Sequence, residues 1–215
     1  MFWLFDGECP LCERRAPGAL CRRCEQVVES GCFAPTLKVV AEGLPVRAWG
    51  VYNQELRRLL ECLKYHGRAD LGDWLGERLG RWWLTAGLPT AGMQVTAVPL
   101  HVERFRRRGY NQAERIARAF ARRTGLRFQD VLYRTQATPA LHGLGPAERA
   151  GVLAGAFRAR RLCGGQRFVI VDDILTTGTT LALCARALAQ AGGTPTLGLV
   201  VAHPRLDRGS PEADA

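Results

Sequence analysis

The chain of 215 residues is long enough for one sizeable hydrophobic core with a small appended module. Its formal net charge of +10 is carried almost entirely by arginine, which favours phosphorylated ligands or nucleic acid as partners unless the excess merely reflects coding bias. No apolar run approaches the ~20 residues of a membrane span and no export signal is evident, so we expect a cytoplasmic protein with no membrane span.

Residues 1–45 are rich in cysteine, proline and glycine and show little periodicity, which is typical of a small module held together by a metal. The module contains two Cys-x2-Cys pairs separated by eight residues. In a reducing cytoplasm such pairs favour metal binding over disulfides, and four thiolates on two tight turns favour a structural Zn²⁺. Cys32 is a weaker fifth candidate. The ligands predicted from the spacing are Cys9, Cys12, Cys21 and Cys24.

Residues 46–205 alternate between strand and helix patterns, which predicts an α/β domain with a parallel sheet, and residues 206–215 are expected to form a frayed tail. A short strand at 49–52 is followed by a helix with leucines on one face. The segment Lys64-Tyr65-His66-Gly67 ends this helix with a cation and a glycine, as a helix C-terminus prefers. A second helix begins near Asp70, its predicted N-cap.

A strongly basic segment connects the next predicted strand to a helix. The pattern of Val95–Leu100 is that of a buried strand, which Pro99 ends. After His101, Arg104–Arg108 form a basic loop, and Asn111-x-x-Glu114 is a capping box that begins the helix. A strand end, a basic loop and a helix start are therefore contiguous.

The most informative stretch is Val169–Leu181. It begins as an apolar run typical of a strand buried in a parallel sheet, and Asp172 and Asp173 follow where ligands bind in such sheets. A hydroxyl-rich loop then begins a helix, and its backbone N–H groups and hydroxyls suit a phosphate, whereas the carboxylates suit ribose hydroxyls. A strand–turn–helix with capping threonines is the alternative interpretation. The loop residues are Thr176, Thr177, Gly178, Thr179 and Thr180.

This stretch resembles the signature of type I phosphoribosyltransferases, and further motifs resemble the ComF family, in which a phosphoribosyltransferase-like domain follows a zinc-ribbon module. The motifs span roughly residues 9–202 in the family's order. Leu141 and Val152 depart from the family pattern, because each replaces a polar residue. The matching segments are the cysteine pairs, Leu63–Gly67, Val98–His101, Arg108–Gln112, Ala147–Arg149, Gly155–Phe157 and the acid-pair loop.

The resemblance implies a type I phosphoribosyltransferase-like fold and a ligand, 5-phosphoribosyl pyrophosphate (PRPP). Asp172 and Asp173 would hold the ribose hydroxyls, and Mg²⁺ would arrive as its complex with PRPP. The loop of Thr176–Thr180 would hold the 5-phosphate.

The resemblance also implies a pyrophosphate site and a catalytic loop. The pyrophosphate would be held at the turn of Pro99, Leu100 and His101, with a capping role as the alternative for His101. Arg106 and Arg108 would act in catalysis within a loop that also carries Arg104 and Arg107. These cations would stabilise the departing pyrophosphate, or else the arginine cluster would face nucleic acid or solvent.

Three functions are compatible with these residues. The first is a protein of competence-linked DNA uptake that binds PRPP or a nucleotide and handles single-stranded DNA, with competence or recombination proteins such as DprA as partners. The second is a phosphoribosyltransferase that acts on an unidentified acceptor base. The third is a PRPP-responsive regulator without turnover. The departures at Leu141 and Val152 favour the first, because they remove acceptor-side polar groups.

Overall fold

The structure is a computed structural model that describes residues 7–31, 36–39, 43–135, 155–160 and 164–204. Several expectations fall outside these ranges. They are the fifth candidate ligand Cys32, the departures at Leu141 and Val152, the matching segment Ala147–Arg149 and the tail at 206–215.

The described elements alternate between strands and helices for most of the chain. In chain order they are β1 (Gly7–Glu8), β2 (Arg15–Ala16), α1 (Arg22–Gly31), β3 (Thr36–Val39), β4 (Pro45–Val51), α2 (Gln54–Tyr65), α3 (Asp70–Thr85), β5 (Met93–Ala97), α4 (Val102–Arg108), α5 (Gln112–Thr124), β6 (Arg127–Phe128), β7 (Leu132–Arg134), β8 (Phe157–Ala159), β9 (Arg167–Ile174), α6 (Thr179–Gln190) and β10 (Thr194–His203).

The central sheet has six strands in the order β3-β4-β10-β9-β5-β6. Five of them are parallel, and β3 joins the edge antiparallel to β4. The predicted apolar strand is β9, which lies between β10 and β5 and buries Phe168–Val171 completely. Since parallel strands end at the same edge of a sheet, the residues after β9 and β5 are brought together there. The predicted α/β class with a parallel sheet is confirmed.

The helices cover the sheet through closely packed apolar faces. Helix α5 packs on β5 and β9, and α6 packs on β10. Helix α3 packs on α5 through three glycines spaced one turn apart, and Trp83 meets Phe120 edge to face at 5.3 Å. At Gly76 a Cβ atom would lie 2.6 Å from the Ala119 Cβ, so only glycine allows the two helices to approach this closely.

The prediction that the basic segment forms a loop is wrong, because residues 102–108 form helix α4. Two local features account for the helix. The His101 side chain caps its N-terminus by accepting a hydrogen bond from the Glu103 N–H, and Gly109 ends it in the left-handed conformation with φ of 82°. The four arginines of the segment are therefore distributed around one short helix.

The structure confirms one predicted helix N-cap and contradicts another. Asn111 caps α5 as expected, since its Oδ1 accepts a hydrogen bond from the Ala113 N–H at 3.0 Å. The predicted N-cap role of Asp70 is wrong, because Ala69 occupies that position. Asp70 is the first residue of α3, and its carboxylate instead pairs with Arg68 at 2.8 Å.

The described N-terminal part of the chain consists of the β1–β2 hairpin and α1, and α1 contacts α3. The Trp74 indole N–H donates to the Glu25 carboxylate at 2.8 Å, and Arg78 forms ion pairs with Glu25 and Glu29. Strand β3, within the range predicted for the zinc module, pairs with the central sheet. The domain boundary at residue 45 stays a prediction. In the described parts of the chain, every helix is too short or too polar to cross a lipid bilayer.

Candidate functional site

The two cysteine pairs meet at one point. Their four Sγ atoms all lie within 4.8 Å of one another, and the Cys12 and Cys21 sulfurs are 3.6 Å apart. The β1–β2 turn carries the first pair, and the second lies at the start of α1. Tetrahedral Zn²⁺ with Zn–S bonds of about 2.3 Å requires sulfurs roughly 3.8 Å apart. Cys9, Cys12, Cys21 and Cys24 could therefore hold a metal ion, and the spacing of their sulfurs is consistent with a structural zinc.

The electrostatics of this cluster also favour a bound cation. Burial raises the pKa of the Cys9 thiol, but hydrogen bonds from backbone N–H groups, that of Cys21 first, outweigh it and lower the pKa to about 7. Burial and the neighbouring sulfurs raise the pKa of Cys24 above its ordinary value. Four crowded thiols thus resist ionising together unless a cation neutralises them.

The predicted acid pair lies at the carboxyl end of β9. The Asp173 N–H donates to Asp172 Oδ1 at 2.8 Å, and the buried Asp173 carboxylate forms an ion pair with Lys64. Burial raises the pKa of Asp172 well above its ordinary value, and the adjacent Asp173 carboxylate raises it further. The site therefore holds one carboxylate neutralised by lysine and a second with a strong affinity for a proton.

The predicted hydroxyl loop directly follows the acid pair and begins α6. Its four threonine side chains are exposed, while Gly178 is buried at the N-cap with φ of 81°. The Thr177 and Thr179 hydroxyls are 2.9 Å apart, and Thr177 also accepts from the Thr179 N–H at 3.4 Å. The loop therefore presents hydroxyl groups beside the positive end of a helix, an arrangement that suits a phosphate.

The turn after β5 is tied to β9 through backbone groups. The Val98 N–H donates to the Val171 carbonyl at 2.9 Å, and the Asn111 side-chain amide donates to the Val98 carbonyl at 2.9 Å. The next two residues, Pro99 and Leu100, line a cavity of 300 Å³ whose other lining residues include apolar ones from α4 and β7. His101 has the capping role that was given as its alternative, because its side chain accepts a hydrogen bond from the Glu103 N–H. Its contact with pyrophosphate stays a prediction.

A second cavity, of 480 Å³, lies where α2 meets α4, and we call it the basic cavity. The Arg108 guanidinium contacts Gln112 and lies 5.7 Å from the Tyr65 ring, and Tyr65 is the most exposed large apolar side chain among the described residues. Arg106 is exposed and is not one of its lining residues. The lining residues are Lys64, Tyr65, Gly67, Arg104, Arg107 and Arg108.

The arginines of α4 differ from those of α5 in their partners. On α5, Arg115 and Arg122 pair with Asp73, Arg118 pairs with Glu114, and Arg123 pairs with Glu77. Within the described residues, no carboxylate forms an ion pair with an arginine of α4. Among the described residues, no carboxylate therefore competes with an external anion for the α4 cations.

Sequence reasoning missed the part that Lys64 plays, because it interpreted the segment 64–67 as a helix end and as part of a family motif and assigned Lys64 no partner. The contact with Asp173 joins residues more than a hundred positions apart, and no local pattern predicts it. One signal was present: Lys64 is one of only two lysines in a chain rich in arginine.

The chain is similar to a known protein family and to several known proteins. Residues 106–214 match the family model described as phosphoribosyl transferase domain. The DNA utilization protein YhgH of Escherichia coli O6:H1 is 34% identical over 146 residues, which cover 66% of this chain and 64% of that protein. The chain thus aligns with just under two thirds of the length of this relative.

Two further proteins are similar over more of the chain. Competence protein ComFC of Streptococcus pneumoniae is 24% identical over 191 residues, which cover 87% of this chain and 76% of that protein. The crystal structure of adenine phosphoribosyltransferase from Thermoanaerobacter pseudethanolicus superposes with a TM-score of 0.41 and 13% identity, over 83% of this chain and 99% of that one.

Proposed function

Because the chain belongs to the ComF family of phosphoribosyltransferase-domain proteins, we propose that it binds PRPP or a nucleotide phosphate and handles internalised single-stranded DNA during natural transformation. One observation carries the proposal: an acid pair at the end of the central strand directly precedes a hydroxyl loop and forms an ion pair with a residue that lines the basic cavity. Acid, hydroxyl and cationic groups in this arrangement match the ribose, phosphate and pyrophosphate groups of PRPP.

In this proposal each part of the ligand meets a group of suitable chemistry. The carboxylates of Asp172 and Asp173 accept hydrogen bonds from the ribose hydroxyls, and the loop of Thr176–Thr180 donates to the 5-phosphate. Mg²⁺ that arrives with PRPP neutralises part of the pyrophosphate charge. Zn²⁺ at the cysteine cluster is structural, because its four ligands leave no open position.

The proposal for single-stranded DNA rests on α4. Its arginines are exposed or half-buried and have no carboxylate partner among the described residues, so they can neutralise backbone phosphates. The exposed Tyr65 ring next to them is suited to stacking with a base. The relatives named for DNA utilization and competence support this biological setting.

The intact acid pair favours a second function, transfer of the phosphoribosyl group to an unidentified acceptor base. In that reaction the bond between ribose C1 and the pyrophosphate oxygen breaks, and a nitrogen of the base forms a new bond to C1. The cations of the basic cavity would stabilise the negative charge on the departing pyrophosphate. A regulator that binds PRPP without turnover would use the same residues.

Calorimetric titration of the zinc-loaded protein tests the proposal directly. We expect saturable binding of PRPP–Mg²⁺ in one titration and of a single-stranded oligonucleotide in another. Failure to bind PRPP would refute the ligand assignment, and failure to bind the oligonucleotide would refute DNA handling. Release of pyrophosphate from PRPP in the presence of a panel of bases would identify the protein as a transferase.

A further inference from the structure

We propose that the 300 Å³ cavity beside α4 binds a single unstacked base of single-stranded DNA. The inference rests on the proposed function, since it gives a place to the bases of the DNA whose phosphates the α4 arginines would contact. The side chains that would stack with the base are Phe105 of α4 and Tyr133 of β7, which both line the cavity. We call it the aromatic cavity.

Exposed apolar side chains are concentrated at the aromatic cavity. Six large apolar side chains are exposed among the described residues, and three of them, Val102, Phe105 and Tyr133, line this cavity. Phe105 is 46% exposed and Tyr133 is 44% exposed. The buried residues Ala97 and Leu132 also line it. Exposed aromatic rings around a partly buried apolar concavity indicate a ligand with flat apolar faces.

Helix α4 contributes different residues to the aromatic cavity and to the basic cavity. Val102 and Phe105 line the first, and Arg104, Arg107 and Arg108 line the second. Successive residues of a helix are turned by about 100°, and residues three or four apart share a face, so the two sets occupy different faces of α4. None of the seven residues of α4 is buried. One short helix can therefore hold phosphates on its basic face and a base on its apolar face.

The charges of the two cavities indicate which part of a nucleotide each accepts. Four lining residues of the basic cavity are cationic and none is acidic. The aromatic cavity is lined instead by the carboxylates of Glu114 and Asp130 and by one arginine, Arg134, whose guanidinium lies 5.2 Å from the Phe157 ring. Carboxylates repel a phosphate, whereas a nucleobase is neutral. The aromatic cavity therefore suits a base, and the basic cavity suits the backbone.

The size and the wall of the aromatic cavity also fit one base. Its volume is 300 Å³, at the lower end of the range for small-molecule pockets, which suits a single planar ring system. The Asn111 side chain, which lines it, is fixed by hydrogen bonds with the Val98 carbonyl and the Ala113 N–H. An apolar segment of a protein is the other possible occupant, but it would leave the neighbouring arginines of α4 without an anion.

Removal of the rings tests the assignment through the salt dependence of binding. Phe105→Ala and Tyr133→Ala should each weaken binding of a single-stranded oligonucleotide by about fivefold to a hundredfold. The log–log salt slope should stay that of the parent, because stacking releases no counterions. Tyr133→Phe should retain the affinity, since it keeps the ring. The matched control is Leu84→Ala, an exposed apolar side chain on α3 that lines neither cavity.

A polyanion without bases separates stacking from a disturbance of α4. Inorganic polyphosphate should bind the parent, Phe105→Ala and Tyr133→Ala with equal affinity, because it presents phosphates and no ring. An equal loss of affinity for polyphosphate and for the oligonucleotide would overturn the assignment of a base to this cavity.

Photochemical crosslinking gives a readout that needs no variant. An oligonucleotide that contains 5-iodouracil, irradiated in complex with the parent protein, should form crosslinks to Phe105 or Tyr133 that mass spectrometry of the peptides identifies. Crosslinks confined to other residues, Tyr65 included, would overturn the inference even if the alanine variants failed to fold.

The possible outcomes also separate this inference from the proposed function. If the parent binds single-stranded DNA and both alanine variants bind it as tightly, the aromatic cavity is not a base pocket, and the proposed handling of DNA stands. If the parent does not bind single-stranded DNA, the proposed handling of DNA fails and this inference fails with it.

Discussion

The Arg68 guanidinium donates a hydrogen bond to the backbone carbonyl of Ala19 at 3.0 Å. It also donates to the carbonyl of Glu8 at 2.9 Å. Glu8 directly precedes the first cysteine pair, and Ala19 lies two residues before the second. One side chain from the connection between α2 and α3 therefore holds both cysteine turns against the larger part of the protein.

We predict one Zn²⁺ per chain at the cysteine cluster. The Cys9→Ser/Cys24→Ser double variant should lose the metal, because two of four thiolates are removed. Metal analysis of the purified proteins gives the stoichiometry. As a control, Cys62→Ser should retain full zinc, since Cys62 lies outside the cluster. Unchanged zinc content in the double variant would exclude this ligand set.

Removal of the metal should have a local effect. Chelation is expected to increase hydrogen exchange in residues 7–31, because this part has few buried apolar residues of its own. The amides of β9 should stay protected, since that strand is central in the sheet. Equal loss of protection in both regions would contradict this separation.

The close approach of α3 and α5 gives a prediction on stability. Gly76→Ala should lower the free energy of unfolding by about 1–3 kcal/mol, because its Cβ would overlap the Ile116 carbonyl and Ala119 on the facing helix. Gly164→Ala is the control, since a Cβ there has no neighbour within 4 Å. Denaturant unfolding of both variants measures the difference. A neutral Gly76→Ala would mean that the helices can separate at little cost.

Sequence reasoning succeeded where the determinants of structure are local. The apolar run, acid pair and hydroxyl loop predicted a buried strand and the helix from Thr179 to Gln190, because strand and helix each have a recognisable period. The helix has the predicted bounds, whereas β9 continues through both aspartates to Ile174. The capping role of Asn111 was recognisable for the same reason: a cap acts within a few residues.

Sequence reasoning failed where the local structure or a contact depends on weaker signals or on residues far apart in the chain. Four arginines in five residues led to the prediction of a loop. The structure has helix α4 there, which begins after the N-cap His101 and ends at Gly109. The ion pair of Lys64 with Asp173 and the hold of Arg68 on Ala19 depend on how separate elements pack. No spacing in one sequence contains that information.

The two aspartates should respond to substitution with opposite changes in stability. Because burial raises the pKa of Asp172, the folded state keeps a proton that the unfolded state has released, and the free energy of unfolding falls as pH rises above the ordinary aspartate range. Asp172→Asn removes this penalty and should raise the melting temperature, more at neutral than at mildly acidic pH. Asp173→Asn should destabilise by on the order of 1–3 kcal/mol, because it leaves Lys64 without its partner.

Both substitutions should nevertheless weaken PRPP binding. Each replaces a carboxyl acceptor for a ribose hydroxyl with an amide, and the loss should be about 1–3 kcal/mol for the charged Asp173 and smaller for Asp172, which keeps a proton. Calorimetry on both variants, with Asp130→Asn as a control near the 300 Å³ cavity, measures the loss. If a variant with both aspartates replaced binds PRPP as tightly as the parent, the acid pair does not hold the ribose.

The last prediction concerns DNA and the arginines of α4. If these cations contact the phosphate backbone, affinity for single-stranded DNA should fall steeply with salt, with a log–log slope of about −0.7 for each phosphate neutralised. Arg104→Ala/Arg107→Ala should make this slope shallower and leave sequence preference unchanged, because phosphate contacts carry no base information. The matched control is Arg118→Ala/Arg122→Ala on α5, whose arginines already have carboxylate partners.

The same double variant separates a DNA-handling protein from a transferase. If the arginines serve only catalysis, DNA binding should be unaffected, and pyrophosphate release in the presence of an acceptor should fall. If DNA phosphates and the pyrophosphate of PRPP use the basic cavity in turn, PRPP–Mg²⁺ should displace a labelled oligonucleotide more strongly than ribose 5-phosphate does. Fluorescence anisotropy across a salt series measures both effects. DNA binding that is independent of salt, or unaltered by the α4 substitutions, would exclude α4 as the DNA-binding surface.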